Sequence, residues 1–172
     1  MMNFLKNKSI EVGVISGLIS FFVIFLITFL IQLGGINLLE FILLPFISGL
    51  ILFIVIVICF SVFFKKYFIE KTEKGIVVNK FKLISIGLIF VLITYFAFDY
   101  IFFLFDDSLS IDYYNKLRDF IISENGNISD LNGFSGLPFG IQNVFTNIFF
   151  AIVGSLFSLV FIKNKKDKND RF

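Results

Sequence analysis

The sequence predicts an all-α integral membrane protein: a four-helix bundle with both termini on the cytoplasmic side and a short amphipathic helix in the outer loop between helices 3 and 4. Three observations carry this expectation. Of the 172 residues, 58% are hydrophobic and 16% charged, with a mean hydropathy of +0.95, whereas a soluble domain is nearer half apolar and a quarter charged. The apolar residues gather in four long runs. A helix crossing a hydrocarbon core about 30 Å thick needs roughly 20 such residues, because its backbone amides find no water there. The basic residues, finally, gather on one side of those runs.

The first span is 10–33, whose polar groups are Glu11, three hydroxyls and Gln32. Lys6 and Lys8 precede it, so a cleaved secretory signal is the competing reading. A signal has a shorter apolar run and a small-residue cleavage pattern, and here Gln32-Leu33-Gly34-Gly35-Ile36 follows, so the span is expected to be retained. Gly13-Val14-Ile15-Ser16-Gly17 is a GxxxG, with Ser20 on the same face. It predicts a tight helix crossing, within the chain or in a homodimer.

The second span is 39–64. Asn37 and Glu40 have the spacing of an N-terminal capping pair, and Pro45 should kink the helix or mark its first turns. Cys59 reads as a small core residue, since no base lies beside it to make a thiolate. The third span, 83–105, carries Asp99. The fourth, 139–162, places Asn143, Asn147, Ala151, Gly154 and Ser158 along one face in steps of three and four, a small and polar face that should be buried.

Between the spans, the connection 65–82 and the tail 163–172 are read as cytoplasmic, and 106–138 as outside. Lys6 and Lys8, then Lys65, Lys66, Lys71, Lys74, Lys80 and Lys82, then Lys163, Lys165, Lys166, Lys168 and Arg171 fall on one side, leaving Lys116 and Arg118 on the other. Basic residues stay cytoplasmic during insertion, which sets the orientation. In the outer segment Ser110 is placed to cap a helix, and Ile111, Tyr114, Leu117 and Ile121 recur at helical spacing until Asn125-Gly126. Asn127-Ile128-Ser129 has the form of a glycosylation acceptor, a triplet common by chance.

The chain has no His, no Trp and one Cys, which excludes imidazole acid–base chemistry, His-ligated metals, Cys-rich zinc sites and intramolecular disulfides. No nucleophile elbow is present, since Gly133-Phe134-Ser135-Gly136 lacks its last glycine, and no phosphate-binding glycine loop occurs. No catalytic residue, cofactor or metal site is therefore expected, and no nucleic-acid partner. The expected partners are the lipid bilayer and a membrane protein or a second copy of the chain.

One acid stands out. Asp99 lies well inside the third span, where a charge costs several kcal/mol to bury. Tyr95 precedes it by one turn, and Gln142, Asn143, Thr146 and Asn147 open the fourth span at the same depth, placed to donate to it. Two readings stay open: a proton or cation site in a small oligomeric carrier, or a hydrogen-bonded layer fixing helix register in a non-enzymatic accessory protein.

The order of features resembles a family of small bacterial inner-membrane proteins catalogued as domain of unknown function 4199. Two outer-connected helices exit into Lys65-Lys66-Tyr67, a short basic connection leads through Lys82 and Gly87 into the third helix, and an acidic outer segment precedes a last helix closed by lysines. Members tend to show Phe-Gly before the third helix, where this chain has Lys80-Phe81. The resemblance implies a bacterial cytoplasmic membrane and no catalytic residue.

Overall fold

The computed structural model describes residues 2–34, 38–73, 78–124 and 136–162. These form six helices: α1 (Met2–Gly34), α2 (Leu38–Glu73), α3 (Lys80–Phe105), α4 (Ser108–Ser123), α5 (Phe139–Gln142) and α6 (Val144–Phe161). Four of them, α1, α2, α3 and α6, are long and apolar enough to cross a membrane.

Helices α1 and α3 begin earlier than the expected spans, at Met2 and Lys80, and two larger differences follow. Helix α2 does not stop at residue 64 but runs to Glu73, so the first half of the segment read as a connection, 65–82, is helical. The extra turns bury Tyr67 and Phe68 against the bundle, where their rings join the same cluster as Phe64 and Leu83. Burial of two aromatic side chains outweighs the charge of Lys65 and Lys66, which stay exposed. The fourth span is not one helix over 139–162. It breaks at Asn143 into α5 and α6.

Helix α3 starts at Lys80 because Asn79, in extended conformation, accepts the Lys82 backbone N–H at 3.0 Å. Helix α2 passes through Pro45 without interruption. The expected Asn37–Glu40 cap and the Asn127-Ile128-Ser129 triplet lie outside the residues whose side chains are described.

The long helices pack as two close pairs, α1 with α3 and α2 with α6. The pairs meet along α1/α2, and less closely along α3/α6. Small residues set both pairings, since they let helix backbones approach closely. A Cβ on Gly13 would lie 2.5 Å from the Gly87 carbonyl oxygen, and one on Gly17 would lie 2.8 Å from that of Val91. The GxxxG face is therefore used within the chain, against α3. On the other pair a Cβ on Gly154 would lie 3.0 Å from the Phe53 carbonyl oxygen. Ser16, Ser20, Ala151 and Ser158 are fully buried, and the Ser16 and Ser158 hydroxyls donate to carbonyls of their own helices.

Phenylalanine fills the space these glycines leave. Phe21 and Phe25 of α1 interleave with Phe98 and Phe102 of α3, the closest rings 4.3 Å apart, and the tilted rings of Phe60 and Phe64 lie 4.9 Å apart over Gly87. Cys59 is buried beside the Ser16 hydroxyl.

Helix α4 lies against one end of the bundle. Its Tyr113 meets Phe139 edge-on at 5.0 Å and shares a cluster with Leu44 of α2, while Leu109, Leu117 and Phe120 pack around it and Ile111, Asp112, Lys116, Arg118 and Asp119 are exposed. It begins at Ser108, not at Ser110. Asp107 occupies the cap position, the Asp106 carboxylate accepts the Ser108 N–H at 3.0 Å, and Ser110 is turned inward and buried. Bonds from the Ser108 hydroxyl and then from its backbone N–H hold the Asp106 carboxyl below the usual carboxylate range.

Candidate functional site: a polar layer at the acidic end

The site grows from a defect in helix capping. Helix α5 is preceded by Pro138, which occupies the cap position and has no side-chain acceptor. The backbone N–H groups of the next residues are the orphan donors that every helix start leaves. Here an acid from another helix takes them up. Asp99 of α3 accepts the Gly140 N–H on Oδ2 at 3.0 Å, and the Ile141 N–H also bonds to the carboxylate. Aligned peptide dipoles at a helix start favour a negative charge at that point.

Glycine brings the turn close to the acid, and a side chain there would make the Asp99 carboxylate shift. A Cβ at position 140 would lie 2.8 Å from Asp99 Oδ2 and 3.1 Å from the Tyr95 hydroxyl oxygen.

Asn147 is the hub of the layer. It is fully buried, and its Nδ2 donates to the Gly140 carbonyl at 3.2 Å and, at the long limit of 3.5 Å, to the Tyr95 hydroxyl. Its Oδ1 accepts from the Ser48 hydroxyl at 3.2 Å. One side chain of α6 thus joins α2, α3 and α5. Tyr95, 1% exposed, sits between Asn147 and Asp99.

A second set of bonds ties α4 to the same turn. The Tyr113 hydroxyl donates to Asn143 Oδ1 at 3.0 Å, and Asn143 Nδ2 donates to the Phe139 carbonyl at 2.9 Å. Gln142 Nε2 donates to the carbonyls of Leu137 at 2.7 Å and Ser110 at 3.4 Å. Burial pushes the Tyr113 phenol up to about 12, against the smaller opposite pull of the Asn143 bond.

Asp99, Tyr95, Gln142, Asn143 and Asn147 are thus brought to one end of the bundle, but not as side-chain donors around the acid. Gln142 and Asn143 turn toward α4 and the 137–139 backbone. Thr146 is half-buried and takes no part in the bonds described. The physical reason is the break at Asn143: it turns the first residues of the expected span so that their backbone, not their side chains, meets α3. The acceptors and donors so arranged hold a turn at a fixed depth. Among the described residues no three His, Cys, Asp or Glu side chains group as metal ligands would.

No family model, no curated protein and no solved structure matches this chain.

Proposed function

We propose that this chain is a non-enzymatic accessory or structural protein of a bacterial cytoplasmic membrane, crossing it four times with both termini in the cytoplasm, and that it works by binding a membrane-protein partner. The resemblance in layout to the domain of unknown function 4199 family supports the compartment, and the gathering of lysines at one end of the spans supports the orientation.

The observation that carries the reading is the environment of Asp99. Its carboxylate is occupied by backbone N–H groups of α5, and Asn147 and Asn143 are bonded to other parts of the same chain. A group engaged in this way holds the bundle together. It supports a rigid surface for association better than a path for ions.

Cross-linking in native membranes followed by affinity capture tests the proposal. A recurrent membrane-protein partner is expected; recovery of the chain only as a freely diffusing monomer would overturn it. A reporter fused after Phe172 should be active only in the cytoplasm.

The second reading, a small proton- or cation-coupled carrier using Asp99, draws on the helix break itself. Discontinuous helices whose N-termini point at a charged group near mid-membrane are how many carriers build their sites. Proteoliposomes holding the wild type or Asp99→Asn separate the two. Equal proton leak and no flux in either would leave the accessory role standing; flux lost in the variant would replace it.

A further inference from the structure

The helix register gathers lysines that the chain keeps far apart. A Cβ on Gly13 of α1 would meet the Gly87 carbonyl of α3, and one on Gly17 that of Val91, so these two helices run parallel. Helix α2 runs against them: its Phe64 ring closes on Gly87, and its Phe68 ring lies 5.6 Å from Lys80 Nζ. These contacts bring Lys65 and Lys66 of α2 level with Lys82 of α3 to within about one helical turn, and all three are exposed. Lys8 of α1 reaches the same level, since it precedes Gly13 by as many residues as Lys82 precedes Gly87, but its amine is paired with Glu11 at 2.9 Å.

Lys66 and Lys82 each end an apolar stripe. On α3, Lys82, Ile89, Ile93 and Tyr100 are all exposed and fall within about 20° of one line at roughly 100° per residue. Lys82 and Tyr100 stand about 27 Å apart along the axis, close to the roughly 30 Å of a hydrocarbon core. On α2, Ile58, Val62 and Lys66 follow one another in steps of four and are likewise exposed. A lysine closing an aliphatic stripe matches a phospholipid end to end: the amine meets the phosphate while the stripe meets the acyl chains. The opposite end of the bundle exposes Asp106, Asp107, Asp112 and Asp119 against Lys116 and Arg118.

We propose that the chain selects anionic phospholipids in the leaflet at its basic end, Lys66 and Lys82 holding headgroup phosphates and Lys65 adding to the attraction beside Lys66. This rests on the membrane crossing proposed above. A zwitterionic headgroup carries its own cation next to the phosphate, which cancels much of the pull of a lysine. Lysines that only fix orientation during insertion would leave the lipid around the finished protein unbiased, and that is where the two roles part.

Tryptophan, absent from the native chain, reads the lipid beside each end. Val62→Trp lies one turn from Lys66 and Ile101→Trp lies near the acidic end of α3, both at exposed positions. Each variant is reconstituted in phosphatidylcholine vesicles with brominated phosphatidylglycerol or brominated phosphatidylcholine, and quenching gives the relative affinity of the two lipids. At low salt Val62→Trp should favour phosphatidylglycerol about fivefold, the weight of one lysine near an anionic surface, and Ile101→Trp by less than about twofold. Adding Lys65→Gln and Lys66→Gln should bring the Val62→Trp preference close to one, as should salt of about 1 M, whereas Lys66→Arg, which keeps the cation, should retain it. Equal preference at the two reporters, or a Val62→Trp preference that survives the glutamines, would overturn the selection and leave the crossing intact, because both brominated lipids still quench. Quenching by neither lipid at either reporter would overturn the crossing and the selection together.

Discussion

Gly140 and Asp99 act as a unit: a side chain on the first would strike the carboxylate of the second, and the carboxylate caps a turn that Pro138 leaves uncapped. Gly140→Ala should therefore lower the unfolding free energy by about 1–3 kcal/mol in detergent, as overpacking does. Gly136→Ala, where nothing lies within 4 Å, should fall within about 0.5 kcal/mol of the parent. Equal effects at the two glycines would count against the assigned geometry. Tyr113 makes a second residue-level claim. Its phenol ionises at about 12 in the fold against an ordinary 10.0, so the fold favours the neutral form. The stability this contributes is present below about 10 and lost as pH rises through about 12. Tyr113→Phe should cost about 1 kcal/mol at neutral pH through the Asn143 bond and should flatten the alkaline fall in melting temperature. The acid was legible from the sequence, because a lone Asp in an apolar run is conspicuous. Its partners were not, because backbone donors have no letter of their own. The signal was nevertheless there in Pro138-Phe139-Gly140: a proline at a helix start, then a glycine where another chain segment comes close.

At the scale of elements, hydropathy located the four long helices but misplaced several ends, two of them for opposite reasons. Helix α2 overruns because Tyr67 and Phe68 find the core after the lysines have announced an end. The fourth span breaks at Asn143, whose backbone departs from helical angles at φ −109°, ψ 26°, while its side chain bonds the Phe139 carbonyl and Tyr113. Tertiary contacts decided both, and window averages do not contain them. The GxxxG in α1 told that a tight crossing exists, yet a spacing rule names no partner; Gly87 supplies it by presenting its own backbone to Gly13. Truncation of the overrun gives a direct check. Tyr67→Ala and Phe68→Ala should each destabilise by about 3–5 kcal/mol if the rings are core, and by under about 1 kcal/mol if 65–73 is a solvated connection. Unfolding in mild detergent distinguishes these.

The whole molecule is two glycine-drawn pairs set side by side, and that arrangement predicts additivity. Gly13→Ala strikes a carbonyl of α3 and Gly154→Ala strikes one of α2, with no neighbour in common. Their destabilisations should sum within about 0.5 kcal/mol in the double variant. A large coupling term would mean that strain passes from one pair to the other. Pair assignment could not be read from the sequence: the small-residue faces of the first and fourth spans are visible there, but a face names no partner helix. The break at Asn143 has one more consequence, for the lipid around the protein. It leaves α6 with 18 residues, a rod about 27 Å long, beside α1 with 33 and α2 with 36. If the chain crosses a bilayer as proposed, lipids on the α6 flank would meet a hydrophobic height below the usual 30 Å or so, while those on the α1 flank would not. Such a lopsided hydrophobic mismatch would thin the surrounding bilayer on one side, and the melting temperature should then be highest in vesicles of short acyl chains.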